Sequence, residues 1–181
     1  MFGSPAVTIW TLGHSTRTWD EFLALLQENR IERLVDVRHF PSSRHVPWAN
    51  QGPLETNLRT AGLAYEHMVD LGGYRKALPD SKNLGWRNTG FRGYADYMQT
   101  KEFEAALDRL LERGKSKRTA SMCAEAVPWK CHRTLLSDAL VARGARVVHI
   151  LAPSKVQDHA LTAFAKVHGA RVTYPAARAK T

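Results

Sequence analysis

Five short apolar runs punctuate this chain, and segments of helical periodicity lie between them. The runs are VTIWTL (7–12), RLVDVR (33–38), LAYEHM (63–68), TASMCA (119–124) and RVVHIL (146–151). Each has the length and apolar density of a buried strand. The intervening segments read as helices. TWDEFLALLQEN opens on a capping box, Thr18 with Glu21, and gathers Trp19, Phe22, Leu23, Leu25 and Leu26 on one face. PLETNLRTA is a short helix, FEAALDRLLER (103–113) an amphipathic one, and TLLSDALVARG ends at Gly144. SKVQDHALTAFAKVHG begins with a second capping pair, Ser154 and Gln157, and is expected to be a final helix ending at Gly169. Strand, helix, strand, helix is the pattern of an α/β domain. It predicts a mostly parallel sheet with helices on both faces, a Rossmann-like three-layer sandwich. A chain of 181 residues suits one such domain, placed at residues 1–170. Residues 171–181, with Arg171, Arg178 and Lys180, read as a basic, flexible tail.

In folds of this kind ligands bind beyond the carboxyl ends of the strands. The residues closing each strand should therefore meet at one edge of the sheet. They are Gly13, His14 and Ser15; Asp36 and Arg38; Glu66 and His67; and Cys123 and Glu125. Asp36 stands inside an apolar strand, where a carboxylate needs a partner or a task. Glu125 invites an arginine partner, with Arg38 and Arg133 as candidates. Cys131, His132 and Arg133 fall at the start of the next helix, where free backbone N–H groups favour anions and ease thiol ionisation. The loops add positive charge through Arg44-His45 and Arg75-Lys76. Residues 69–93 form a long glycine-rich, basic, aromatic stretch, in which Tyr74, Trp86 and Phe91, with Tyr94 just beyond, could stack a base.

The formal net charge is +9, and the sequence pI is about 9.9. Such an excess favours polyanionic partners: nucleic acid or phosphorylated small molecules. No run of about eighteen apolar residues occurs, so a membrane partner is not expected. The N-terminus lacks the pattern of a secretory signal, and a soluble cytoplasmic protein is expected. His14, His39, His45, Cys123, Glu125, Cys131 and His132 are eligible metal ligands, but Cys-x7-Cys is not a usual zinc spacing. No cofactor is expected, and a catalytic metal ion stays open. Neither cysteine is followed by arginine at the spacing of a phosphatase loop, and no P-loop or GxGxxG is present.

TLGHST, DVRHFPSSR, LGGYR, RGYADYM and CAEAVPWKCHR occur in that order. Together they resemble the family known as domain of unknown function 488 (DUF488), over roughly residues 8–150. The resemblance implies a compact α/β domain. It implies a site at His14, Ser15, Asp36, Arg38, Pro41, Ser43, Arg44, Gly72, Gly73, Arg75, Tyr94, Cys123, Glu125, Cys131, His132 and Arg133. It implies no reaction.

Three functions stay open at this point. The first is an enzyme hydrolysing a phosphodiester or N-glycosidic bond in nucleic acid or a nucleotide. In it Arg38, Arg44 and Arg133 hold phosphate, Glu125 or Asp36 activates water, and His14 or His132 carries a proton; Ser15, Arg75, Tyr94 and Cys123 complete the binding set. The second is a non-catalytic nucleic-acid-binding module. The third is thiol or redox chemistry at Cys131, with Cys123 resolving.

Overall fold

A computed structural model describes residues 6–178. In chain order it contains β1 (Thr8–Gly13), α1 (Trp19–Glu28), β2 (Arg33–Asp36), α2 (Gln51–Thr60), β3 (Ala64–His67), α3 (Thr89–Tyr97), α4 (Lys101–Ser116), β4 (Thr119–Cys123), α5 (Arg133–Ala142), β5 (Arg146–Ala152), β6 (Lys155–Asp158), β7 (Lys166–His168) and β8 (Arg171–Thr173). Six strands form one sheet in the order β3-β2-β4-β1-β5-β6, with β7 and β8 pairing separately. Strands β1 to β5 run parallel; β6 joins β5 antiparallel. The expected α/β class and mostly parallel sheet are present, with helices on both faces.

Side-chain alternation along the strands sorts the core into two halves. Trp10, Leu12, Leu34, Ala120, Met122, Val148 and Ile150 face α1 and α2, burying Phe22, Leu25, Leu26, Leu54 and Leu58. Ile9, Val35, Cys123 and Val147 face the other way, onto the side of α3, α4 and α5. Thr11, Ser121 and His149 share that parity and are buried with them. The Thr18–Glu21 capping box forms as the sequence predicts: Glu21 N–H donates to Thr18 Oγ1 at 3.2 Å and Thr18 N–H to Glu21 Oε2 at 2.8 Å. Neighbouring strands β1 and β4 lead into helices on opposite faces, α1 and α5. That divergence opens a crevice at their carboxyl ends.

Two expectations are corrected here. The final helix does not form. Ser154 adopts φ +56°, and its N–H and hydroxyl bond the Glu28 carboxylate rather than capping a helix. The chain turns back as β6, whose four residues are all exposed. Pairing the open edge of β5 wins over local helical preference, and the polar LysValGlnAsp strand becomes the new edge. The tail also begins later than residue 171. Val172 and Tyr174 are buried, and Arg171 pairs with Glu104. Arg178 is exposed, and Lys180 lies outside the described residues. Among the described residues no helix is long and apolar enough to cross a membrane.

Candidate functional site

The crevice between β1 and β4 is closed by backbone. His14 N–H donates to Cys123 O at 3.0 Å, and Ser15 N–H to Ala124 O at 2.8 Å. The β4–α5 connection is thereby laid across the end of β1. Only glycine fits beneath it: a Cβ on Gly13 would sit 1.6 Å from the Glu125 carbonyl oxygen.

This crossing folds the two cysteines together. Cys123 ends β4 and Cys131 precedes α5; their sulfurs lie 2.9 Å apart. Arg133, about 1 % exposed, is wrapped around them. Its Nε donates to Cys123 Sγ at 2.9 Å and its backbone N–H to Cys131 Sγ at 3.2 Å. One terminal nitrogen donates to Thr11 Oγ1 at 3.0 Å, the other to Glu125 O at 2.7 Å. Burial alone would push the Cys131 thiol up. The hydrogen bond from Cys123, with His132 and the Arg133 charge, outweighs it and holds Cys131 well below the ordinary thiol range. Burial and the same bond push Cys123 up. The pair therefore loses one proton readily and keeps the other. Among the described residues the guanidinium touches no carboxylate. A buried cation without a counter-charge is costly, so the thiolate is its direct counterion.

The polar groups beside the thiols are mostly committed. Arg38 clamps Asp36 bidentately, Nε to Oδ1 at 2.9 Å and NH2 to Oδ2 at 2.6 Å, and Tyr65 donates to the same carboxylate at 2.9 Å. Both residues are buried, so Asp36 finds its partner two positions along its own chain. Burial and the Asp36 charge push the Tyr65 hydroxyl far up, keeping it a donor. His14 Nδ1–H donates to Ser15 O at 2.9 Å, leaving Nε2 facing Arg38 at 3.5 Å. Burial lowers the His14 pKa, the Ser15 bond opposes this, and Arg38 lowers it further; the ring stays neutral. His132 donates from Nε2 to Val37 O at 3.2 Å, with Gly73 packed over its ring.

Glu125 is exposed, and among the described residues its carboxylate makes no hydrogen bond or ion pair. The arginine expected beside it holds its main-chain oxygen instead. Glu66 turns away to Arg113. Arg44 is exposed at the surface. Arg75 lies 3.7 Å over the Tyr97 ring and donates to Gly72 O. Ser43 ties its own loop, accepting from Val46 N–H, and Pro41 O accepts from Gln51 N–H.

The long loop is pinned rather than free. The Asp96 carboxylate accepts from Leu78 N–H, Ser81 Oγ and Asn83 Nδ2. Tyr94 is a core residue donating to Leu71 O, and Trp86 and Phe91 pack on each other, with Trp86 also against Phe164 and Tyr174. None of these three can stack a base. Tyr74 can: it is 83 % exposed, with Phe40 at 62 % beside it, ring centres 5.5 Å apart. Tyr74 also adopts φ +60°, unusual for a bulky residue.

Sequence reasoning passes over Thr11 and His149, which stand in the same relation to their strands as Asp36: polar residues inside buried runs. That signal is present in the sequence. Among the described residues no cluster of three or more His, Cys, Asp or Glu could hold a metal ion.

A family model described as "Domain of unknown function DUF488" matches residues 18–140. The chain belongs to the DUF488 family. The matched span contains both cysteines and Arg133, so the thiol pair lies inside the DUF488 domain itself. The chain matches no curated protein and no solved structure.

Proposed function

We propose that this DUF488 protein is a thiol-dependent redox enzyme, exchanging electrons with disulfides through Cys131 and Cys123. The observation that carries this reading is the pair of sulfurs 2.9 Å apart under a buried guanidinium. Cys131 is the nucleophile, since its thiol is acidified and it takes a backbone N–H at the start of α5. Its thiolate attacks one sulfur of a substrate disulfide, forming a mixed disulfide and expelling the first thiolate. Cys123 gives its proton to that leaving group and attacks the Cys131 sulfur. The mixed bond breaks, the second substrate thiolate departs, and the Cys123–Cys131 disulfide remains. A disulfide bond length of about 2.0 Å is a short movement from the resting separation.

Hydrolysis of a phosphate ester, the leading expectation from sequence, needs arginines free to grip phosphate. Arg38 and Arg133 are buried, with each guanidinium nitrogen already bonded inside the protein, which leaves the exposed Arg44 alone of the three expected. For this reason the thiol reading stands first.

The test is reaction of the reduced protein with glutathione disulfide, followed by mass analysis. Wild type is expected to form the Cys123–Cys131 disulfide. Cys123→Ser is expected to stall with glutathione on Cys131, and Cys131→Ser to give neither product. Absence of both the disulfide and the adduct would sink the reading.

A second reading, binding of single-stranded nucleic acid, is favoured by the exposed Phe40–Tyr74 pair with Arg44, His45 and Lys76 close in sequence. Aromatic faces flanked by cations suit stacked bases and phosphates. Oligonucleotide affinity is expected to fall steeply with salt and to drop about tenfold or more in Phe40→Ala/Tyr74→Ala, at about 1–3 kcal/mol per stacked base. Equal binding by the double variant would remove the platform.

A further inference from the structure

Behind the thiols runs a chain of buried hydrogen bonds that disulfide exchange does not itself use. Arg133 donates to Thr11 Oγ1 at 3.0 Å, and Thr11 Oγ1 lies 2.6 Å from His149 Nδ1. His149 Nε2 lies 2.9 Å from His159 Nδ1, and His159 Nε2 2.7 Å from Asp138 Oδ1. Tyr174 OH donates to Asp138 Oδ2 at 2.7 Å, and Thr162 N–H to Oδ1 at 3.0 Å.

With both rings assigned as neutral, the Asp138 carboxylate fixes the direction of the donors, because it can only accept. The Thr11 hydroxyl accepts from Arg133 and donates to His149 Nδ1. His149 must then carry hydrogen on Nε2 and donate to His159 Nδ1. His159 in turn donates from Nε2 to the carboxylate. Every bond is satisfied with both rings neutral. Burial is the main cause that lowers the His149 pKa to about 3, and the Arg133 charge acts the same way, so the His149 ring stays neutral. The chain thus links a buried cation to a buried anion, both on α5, through three neutral groups.

We infer that Asp138 is the remote counterion of Arg133, positioned through Thr11, His149 and His159, and that it sustains the oxidised state of the thiol pair. This rests on the thiol reading above. In the reduced protein the thiolate balances Arg133 directly. Oxidation removes it: the Cys123 thiol and Cys131 thiolate become a neutral disulfide. Two electrons and one proton pass to an acceptor disulfide such as oxidised dithiothreitol, which opens to its thiol–thiolate form. Arg133 is then a buried cation with Arg17 as a cationic neighbour and no anion in contact. Asp138 is the negative group its hydrogen-bond chain reaches. In the reduced state the same carboxylate opposes the thiolate. Its charge therefore favours the disulfide over the dithiol.

The test is equilibration of the full-length protein in dithiothreitol redox buffers at fixed pH. The fraction of Cys123–Cys131 disulfide is counted after acid quench and alkylation. Asp138→Asn, which keeps an oxygen acceptor for His159 but loses the charge, is expected to lower the disulfide-forming equilibrium constant about tenfold. His159→Gln, between His149 and Asp138, is expected to shift it the same way by less, and carries the test if Asp138→Asn does not fold. A merely structural role would lower the thermal stability of both redox forms alike and leave the midpoint in place. Wild-type midpoints in folded variants would overturn the inference. A wild-type protein forming no disulfide in any buffer would overturn the thiol reading itself, so the two failures are distinct.

Discussion

Replacing Arg133 by methionine is expected to move the acidic titration of the thiol pair toward the ordinary thiol range, leaving the part that the Cys123 hydrogen bond and His132 supply. Ultraviolet absorbance of the thiolate, followed against pH, should show one group ionising below the ordinary thiol range in wild type and at higher pH in the variant. The guanidinium makes hydrogen bonds to Cys123, Thr11 and Glu125, and its charge is what the thiolate answers. Methionine fills similar volume and supplies neither. Removing one partner of a buried charge pair costs about 3–5 kcal/mol at neutral pH. The sign of the pH dependence follows from linkage. Cys131 has a folded pKa below its unfolded value of about 8.5. Between those two values the unfolded chain binds more protons, so wild-type stability rises with pH. The Cys131 contribution is fully present above about pH 8.5 and lost as pH falls through the folded pKa. Urea unfolding across that window should show a steeper rise with pH in wild type than in Arg133→Met, which keeps the rise due to the buried His14 and His149. A variant retaining both the full slope and the wild-type thiolate titration would remove the Arg133 charge from the causes of the pair's acidity.

Gly13→Ala is expected to be worse still for folding. The added methyl would meet the Glu125 carbonyl oxygen at 1.6 Å and its carbon at 2.4 Å, both backbone atoms that no rotamer change can move. Either β1 or the β4–α5 connection must shift, and the thiols shift with the connection. A loss on the order of 4 kcal/mol or more, beyond the usual range of point substitutions, is expected. Gly52→Ala in α2 is the control. A methyl added there would meet nothing within 4 Å, and alanine in a helix is favoured by about 0.5–1 kcal/mol. Urea midpoints should move in opposite directions for the two; a near-wild-type Gly13→Ala would mean the crossing is looser than its geometry.

The residues explain why some of this is legible in sequence. Strands β1 to β5 announce themselves because buried parallel strands are near-continuous apolar runs, and α1 because its cap is chemically specific. Cys123 and Cys131 can be nominated because a strand end and a helix start must both face the same edge. Residues 154–169 mislead because the partner that decides their structure, the open side of β5, is remote information that local periodicity lacks. The pairing of Asp36 with Arg38 rather than with function, and of Arg133 with a main-chain oxygen rather than the Glu125 carboxylate, depends on side-chain directions. Trp86 looks like a ligand contact because its loop is polar in sequence, and Tyr94 because it follows that loop; the Asp96 carboxylate that anchors the loop lies on α3 beside Tyr94. His149 hides in an apolar strand, although its parity with Thr11 and Cys123 puts it behind the thiols.

The family match stops at residue 140, ahead of His149, His159 and Tyr174, and starts after Thr11. On the thiol reading proposed above, the cysteines, Arg133 and Asp138 are thus encoded inside the matched span, and the groups that join Arg133 to Asp138 outside it. Substitutions in the flanking segments can retune the electron affinity of the centre while CAEAVPWKCHR stays untouched. Two relatives with identical cysteine motifs need not share a redox potential, and one could serve as a reductant where the other serves as an oxidant.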